Sequence, residues 1–182
     1  MFIDKSKLIV RELALEELDC YLNFIDYVKE HMEHPEWLGT FTRDEYVWML
    51  SNNSHVYIWT LIDNINQVFT DFNQIIASGM IIPARQKDID KFLQTDLKYE
   101  EVVDFGPEAV TPNYVGNGIQ SDVISYLEKT SAQMGYRHAL GTVDPENIYS
   151  IRNLIKNGFE IVARVELKRG TRDVLRKNNI KK

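Results

Sequence analysis

The sequence has a single cysteine and no long apolar run, and both absences narrow the classes of protein that it can encode. Among its 182 residues only Cys20 carries a thiol, which excludes an internal disulfide and favours a reducing compartment. No stretch of about 18 apolar residues is present, and residues 1–7 lack the apolar core of a secretory signal peptide. We therefore expect a soluble, cytoplasmic protein that does not bind membranes.

The chain also lacks an excess of positive charge. It has 21 Lys and Arg against 27 Asp and Glu, which gives a formal net charge of −6 at pH 7. General nucleic-acid binding depends on clustered Lys and Arg that neutralise phosphates, so we predict no nucleic-acid partner. His31 and His34 stand three residues apart outside any His-Glu-x-x-His pattern, and we predict no metal site.

The apolar patterns predict one domain over residues 1–182 in which strands and helices alternate. Hydrophobic residues make up 44% of the chain, enough for one core. Alternating or β-branched runs predict strands, and spacings of three and four predict helices. The predicted strands cover residues 8–12, 55–62, 74–82, 101–111, 138–143, 159–167 and 171–175, and the predicted helices begin near residues 15, 42, 119 and 148. We assign residues 84–100 to a loop with one helical turn near 88–92.

Gly106 and Pro107 interrupt the strand predicted over residues 101–111. Glycine weakens a strand and marks bulges, and proline has no N–H to donate to a ladder. This strand is therefore either an edge strand or one that separates from its neighbour at this point.

Residues 114–120 join the end of that strand to a helix through two glycines. At such a junction, backbone N–H groups are available at the positive end of a helix dipole, where they can bind an anion. Glycine has no Cβ and lets a ligand approach the backbone. Asn117-Gly118 is also typical of a hairpin turn, but residues 119–134 have a helical period rather than a strand's. No Lys-Ser/Thr follows Gly118, which excludes a Walker A loop, and the third glycine of a dinucleotide-binding fingerprint is missing. The turn predicts an anion site without naming the ligand.

Three stretches resemble the GNAT superfamily of acetyl-coenzyme A dependent N-acetyltransferases. Residues 110–120, Val-Thr-Pro-Asn-Tyr-Val-Gly-Asn-Gly-Ile-Gln, are similar to the family's pyrophosphate-binding motif. Residues 142–150, Thr-Val-Asp-Pro-Glu-Asn-Ile-Tyr-Ser, followed by Lys156-x-Gly158-Phe159, are similar to its second coenzyme segment. Residues 170–177 resemble the last strand of some bacterial members.

The resemblance implies an α/β (α+β) fold and a transferase activity. The fold would be a mixed, mostly antiparallel sheet of six to seven strands, flanked by about four helices and containing a splayed pair of parallel strands. Residues 1–100 would form the acceptor side and residues 101–182 the coenzyme A side. The chain would transfer acetyl from acetyl-coenzyme A to a primary amine of a small molecule or peptide, without a metal. Formation of a homodimer is left open.

The same resemblance assigns the coenzyme-binding residues. Backbone groups near Ala109 and Val110 would bond the pantetheine and the acetyl carbonyl in the gap that the splayed strand leaves. The Asn147 side chain would contact the pantetheine arm, and a plain helix N-cap is an equally open alternative. Ser150, in the second coenzyme segment, is a further candidate for binding the coenzyme. Backbone amides along the turn would hold the pyrophosphate; these belong to Val115, Gly116, Asn117, Gly118, Ile119 and Gln120.

The catalytic residues are less well defined by the sequence. Attack by a primary amine needs a base, because a lysine-like amine has a reference pKa of about 10 and is mostly protonated at pH 7. The interrupted strand offers Glu101, Asp104 and Glu108. By the resemblance, Asp104 lies nearest to where several family members place such a carboxylate, and our candidates are Asp104 and Glu108. Leu154 stands where many family members place the tyrosine that protonates the leaving thiolate, so we assign that role to Tyr149, with Tyr126 and water as alternatives.

Two other functions remain open at this stage. Val115 replaces the Arg or Gln usual in the family's turn, and together with Leu154 it is compatible with a coenzyme A-binding module that has lost catalysis. A nucleotide-binding oxidoreductase is the second alternative.

Overall fold

A computed structural model of the chain describes residues 1–64 and 68–180. Within these ranges the chain forms eight β-strands and five α-helices, joined by short 3-10 turns. The strands are β1 (Leu8–Glu12), β2 (His55–Leu61), β3 (Ala77–Pro83), β4 (Val102–Phe105), β5 (Ala109–Val110), β6 (His138–Val143), β7 (Glu160–Leu167) and β8 (Gly170–Asn178). The helices are α1 (Leu18–Glu30), α2 (Arg43–Leu50), α3 (Gln86–Lys91), α4 (Ile119–Gln133) and α5 (Ile148–Lys156).

The strands form one mixed sheet in the order β1-β2-β3-β4-β6-β8-β7, and β5 pairs with β3 beside this path. The chain divides into two compact units, the first made of Met1–Met80 and Pro107–Val123 and the second of Ile81–Gly106 and Ile124–Lys182. The mixed α+β architecture predicted from the sequence is confirmed. The prediction that these residues act as one domain stays a prediction.

The first unit is organised by helices that the sequence marks clearly. The Thr42 hydroxyl accepts from the Glu45 N–H at 3.3 Å, and the Glu45 carboxylate accepts from the Thr42 N–H at 2.7 Å. These two bonds form a capping box at the start of α2, the helix that the Thr-x-x-Glu pattern of residues 42–45 predicts. α1 and α2 bury Tyr21, Phe24 and Tyr46 completely. The Tyr21 and Tyr46 rings meet edge to face with their centroids 5.6 Å apart.

The second unit has its own apolar cluster. It combines residues of β4, β6, β7 and β8 with α3 and the residues next to it: Ala84, Ile89, Phe92, Val102, Leu140, Val165 and Val174. α3 lies within the loop predicted for residues 84–100 and begins two residues before the helical turn predicted there. The Asp88 carboxylate accepts from the Arg85 N–H at 3.0 Å, which supplies the cap that periodicity alone does not indicate.

The break at Gly106-Pro107 divides the single strand predicted over residues 101–111 into β4 and β5. β4 pairs in parallel with β6 over only three positions, ending at Asp104 and Leu140, although β6 continues to Val143. Gly106 has φ +138°, a conformation that side-chain-bearing residues rarely adopt. The predicted separation of the parallel pair is therefore confirmed, and the extra strand explains why eight are found where six or seven were predicted.

Candidate functional site

A tight backbone turn lies between β5 and α4 in the first unit. Residues Pro112–Tyr114 form a 3-10 turn in which the Tyr114 N–H donates to the Thr111 carbonyl at 3.0 Å. Gly116 and Gly118 follow with φ +86° and +72°, both in the left-handed region that favours glycine. The two glycines are therefore required by the path of the chain and not only by a ligand.

The backbone of this turn can receive an anion. Within the described ranges, no residue accepts a hydrogen bond from the N–H of Gly116 or Gly118, and a Cβ built on Gly116 would meet no atom within 4 Å. α4 begins at Ile119, and the first N–H groups of an α-helix find no acceptor one turn earlier within the helix itself. Open space beside Gly116, the N–H groups of the two glycines and the positive end of a 15-residue helix thus meet at one place.

The Asn117 side chain is occupied by the protein itself. Its amide nitrogen donates to the carbonyls of Met1 and Tyr114 at 2.9 and 3.0 Å, and its Oδ1 accepts from the Ile3 N–H at 3.3 Å. Its role in the predicted anion site is therefore limited to its backbone. No local pattern in the sequence indicates this contact, because it joins residues more than 110 positions apart.

Lys5 brings a positive charge to the same turn. Its Nζ lies 3.4 Å from the position that a Cβ on Gly118 would occupy, and 2.7 Å from the Asp122 carboxylate on the first turn of α4. Both side chains of this ion pair are about half exposed, with relative accessibilities of 45% and 47%. No signal in the sequence links Lys5 to residues 116–122.

β5 presents a backbone edge next to the turn. Val110 pairs with Ala77 of β3, and the next residue, Thr111, donates its N–H to the Ile76 carbonyl at 2.9 Å. Because the backbone groups of successive residues alternate in direction across an antiparallel ladder, the N–H and C=O of Val110 point away from β3. This is the arrangement by which an edge strand bonds an extended ligand.

Glu108 stands directly before β5 and is tied to α4. Its Oε2 accepts from Gln120 Nε2 at 3.2 Å. Burial raises the pKa of Glu108 to about 7, and the bond from Gln120 opposes this rise. A carboxylate that titrates near neutral pH is suited to general base catalysis. The structure thus brings Glu108, Ala109 and Val110 together with the glycine turn in one unit.

Asp104, the other candidate base, belongs to the second unit. It is half-buried on β4, opposite Leu140. Burial and the charge of Arg172 lower the pKa of Arg169, while the negative charge of Asp104 opposes this effect. Asp104 thus has a positively charged neighbour, Arg169.

Asn147 and Ser150 form the N-terminal cap of α5. The Asn147 Oδ1 accepts from the Ser150 N–H at 3.1 Å, which confirms the N-cap alternative raised from the sequence. The cap uses only the oxygen of the amide, and no described residue accepts from its Nδ2. The predicted contact with a ligand through this nitrogen is compatible with the cap.

The loop that carries Asn147 is held by an ion pair. Arg172 Nη1 lies 2.7 Å from Asp144 Oδ2, and the side chains are only 3% and 17% exposed. The other oxygen of Asp144 accepts from the Glu146 N–H at 3.0 Å. One carboxylate therefore fixes both the loop and its attachment to β8.

We expect Arg172→Met to lower the free energy of unfolding by about 3 kcal/mol, because it leaves the carboxylate of Asp144 without its ion-pair partner in a largely buried place. Urea denaturation followed by circular dichroism measures this loss. Arg43→Met is the matched control, since Arg43 pairs with Asp19 where the side chains are 56% and 72% exposed, and exposed ion pairs contribute little to stability. Equal losses in the two variants would contradict a special role for the buried pair.

α5 directs Leu154 and Tyr149 to different sides. Leu154 is buried, with Cδ1 3.8 Å from the position of a Cβ on Gly141, whereas Tyr149 is 71% exposed. Five helical residues rotate the direction of a side chain by about 140°, so Tyr149 does not point where Leu154 points. The assignment of Tyr149 as a proton donor stays a prediction.

Neither a metal-binding cluster nor a membrane-spanning helix is found among the described residues. Residues 1–64 and 68–180 contain no group of three or more His, Cys, Asp or Glu side chains placed to hold a metal ion. In the same ranges, no helix has both the length and the apolar character needed to cross a membrane.

Comparison with solved structures identifies the fold. An N-acetyltransferase from Staphylococcus aureus Mu50 superposes with a TM-score of 0.67 at 14% identity, covering 94% of this chain and 98% of that one. A GNAT-family acetyltransferase from Streptococcus pneumoniae gives 0.66 at 17% identity, covering 94% and 99%. A GNAT superfamily phosphinothricin acetyltransferase from Sinorhizobium meliloti, in complex with acetyl-coenzyme A, gives 0.66 at 13% identity, covering 95% and 89%.

The chain therefore has the fold of the GNAT acetyltransferases, as the sequence motifs predict. No protein-family model and no curated protein matches the sequence. The similarity is one of architecture across almost the whole length of each chain.

Proposed function

We propose that this protein transfers an acetyl group from acetyl-coenzyme A to a primary amine of a small molecule or peptide. The observation that carries the proposal is the anion-accepting turn at Gly116 and Gly118, placed beside the open edge of β5 in a chain with the GNAT fold. The acetyl-coenzyme A complex of the Sinorhizobium meliloti enzyme supports the choice of co-substrate. The motifs around residues 110–120 and 142–150 point to the same ligand.

The residues of the first unit fit the parts of that coenzyme. The N–H groups of Gly116 and Gly118, which donate to no described residue, suit a diphosphate, since backbone donors at a helix N-terminus bind phosphates. The open space beside Gly116 leaves room for the phosphate oxygens to approach. The backbone of Val110 suits an extended amide-bearing arm, and Asn147 and Ser150 stay candidate ligands by resemblance alone.

Bound acetyl-coenzyme A supplies a thioester whose carbonyl carbon forms a bond to the amine nitrogen as its C–S bond breaks. In our proposal Glu108 removes the proton that the attacking nitrogen must lose. Because the pKa of Glu108 is about 7, a fraction of the protein molecules carries the deprotonated carboxylate at neutral pH, and this form can take that proton. Asp104 is the alternative base.

The sulfur that leaves needs a proton that Leu154 cannot supply. We assign this step to Tyr149, with Tyr126 and water as the alternatives. The high exposure of Tyr149 is compatible with movement or with proton exchange with solvent.

An amine panel tests the proposed function. The protein is incubated with acetyl-coenzyme A and polyamines, amino acids, aminoglycosides or peptides with free N-termini, and the free thiol released is measured. We expect release that depends on one class of amine and matches the acetylated product mole for mole. Tight binding of acetyl-coenzyme A with no thiol released by any amine would instead favour the coenzyme-binding module without catalysis.

A titration separates the oxidoreductase alternative. We expect saturable binding of acetyl-coenzyme A and none of NADH in the same concentration range. Saturable binding of NADH alone would contradict the proposed co-substrate.

A further inference from the structure

We propose that Lys5 binds the diphosphate of the coenzyme and supplies the positive charge that the glycine turn itself lacks. This inference rests on the proposed function. It adds a ligand from the N-terminal segment, which neither of the two coenzyme motifs contains.

The turn is short of positive charge. Residues 111–122 contain no Lys or Arg. Val115 stands where the resemblance leads us to expect Arg or Gln. The protein as a whole has a net charge of −6, so its overall field does not attract an anion. Asp122 adds a negative charge on the first turn of α4. A ligand with a diphosphate therefore needs a local cation.

Lys5 is the cation that the fold brings to this place. Its Nζ lies 3.4 Å from the Cβ position of Gly118, next to the backbone that a phosphate oxygen would approach. The present partner of the ammonium is Asp122, 117 residues away in sequence. Since this ion pair is half exposed and such pairs contribute little stability, the ammonium can exchange the carboxylate for a phosphate at low cost.

The backbone that carries Lys5 is held in place by hydrogen bonds, and its side chain is half exposed. Asp4 caps the short 3-10 helix Lys5–Lys7 by accepting from the Ser6 N–H at 3.1 Å. Asn117 holds Met1 and Ile3, and the Ile3 side chain is 7% exposed. A firmly placed backbone with a partly exposed ammonium at its end is a suitable arrangement for binding a flexible anionic ligand.

Calorimetric titration of wild type, Lys5→Met and Lys7→Met with three thioesters tests this assignment. Acetyl-coenzyme A carries the diphosphate and a 3′-phosphate, acetyl-dephospho-coenzyme A carries the diphosphate only, and S-acetylpantetheine carries no phosphate. We expect Lys5→Met to weaken binding of the first two about three- to tenfold, the range for a charge-assisted contact at a partly exposed site, and to leave S-acetylpantetheine unchanged.

Lys7→Met is the matched control, since Lys7 is an exposed lysine of the same 3-10 helix, and we expect it to bind all three thioesters like wild type. Lys5→Arg should restore most of the affinity, and higher salt should reduce the difference between wild type and Lys5→Met.

Several results would overturn the assignment. Unchanged affinity of Lys5→Met for acetyl-coenzyme A would remove Lys5 from the site while leaving the proposed function standing. A loss confined to acetyl-coenzyme A would assign Lys5 to the 3′-phosphate, and an equal loss for S-acetylpantetheine would indicate a general structural defect. If wild type bound none of the three thioesters, both the proposed function and the role of Lys5 would be wrong.

Discussion

Glu108→Gln should lower kcat/KM for the acceptor amine by about 10²–10⁴, the usual contribution of a positioned general base. The glutamine keeps the size of the side chain and its position beside Gln120, but it cannot take a proton from the attacking nitrogen. We expect the affinity for acetyl-coenzyme A to stay close to that of wild type. Thiol release under steady-state conditions measures the first quantity, and calorimetric titration measures the second.

Asp104→Asn and Glu100→Gln are the comparison variants for Glu108. Asp104 is the alternative base, whereas Glu100 is an exposed carboxylate in the turn before β4. We expect Glu100→Gln to behave like wild type and Asp104→Asn to lose less activity than Glu108→Gln. A larger loss of activity in Asp104→Asn than in Glu108→Gln would assign the role of base to Asp104.

The pH dependence gives a second measure of the role of Glu108. Because burial raises its pKa to about 7, the base form is lost below that value, and kcat/KM of wild type should rise with pH through about 7. The unfolded pKa of a glutamate is about 4.3, so the folded protein binds this proton more tightly. The contribution of this bound proton to the free energy of unfolding is therefore fully present below about pH 4 and is lost as the pH rises through about 7. Glu108→Gln should remove both dependences, and retention of the activity profile in that variant would assign it to another group.

The sequence predicts those parts of the site that depend on local patterns. The glycine turn, the start of α4 at residue 119 and the separation of the parallel strands at Gly106-Pro107 follow from backbone requirements that glycine, proline and helical spacing express directly. The capping box of α2 and the Asn147 cap are equally local. The earlier start of α3 also arises from local structure, because the Asp88 cap depends on a contact that periodicity does not show.

The properties that decide the chemistry depend on contacts distant in sequence. Lys5 reaches Asp122 across 117 residues, and the Asn117 side chain is engaged by the N-terminal residues. The raised pKa of Glu108 results from its burial in the folded unit. A glutamate in a predicted strand does not by itself indicate whether its carboxylate is buried. A sequence pattern can therefore propose Glu108 as a candidate base, but only the tertiary surroundings favour it over Asp104.

Gly118→Val should weaken binding of acetyl-coenzyme A at least about a hundredfold. Two effects act together. Gly118 has φ +72°, which a β-branched residue adopts only under strain, so the variant will displace the N–H groups of the turn. Its added methyl groups also occupy the surface that a phosphate would approach, where Lys5 Nζ already lies 3.4 Å from the Cβ position. Calorimetric titration with acetyl-coenzyme A measures the loss.

Gly135→Val separates the loss of the site from the general cost of replacing a left-handed glycine. Gly135 follows the other end of α4 with φ +100°, and a Cβ there would meet no atom within 4 Å. Both variants should therefore lose stability through backbone strain, whereas only Gly118→Val should lose coenzyme binding. Equal binding by Gly118→Val and wild type would place the coenzyme elsewhere, and equal loss of binding in both variants would trace the effect to strain in α4. A selective loss in Gly118→Val therefore requires that the ligand contact the backbone at this turn.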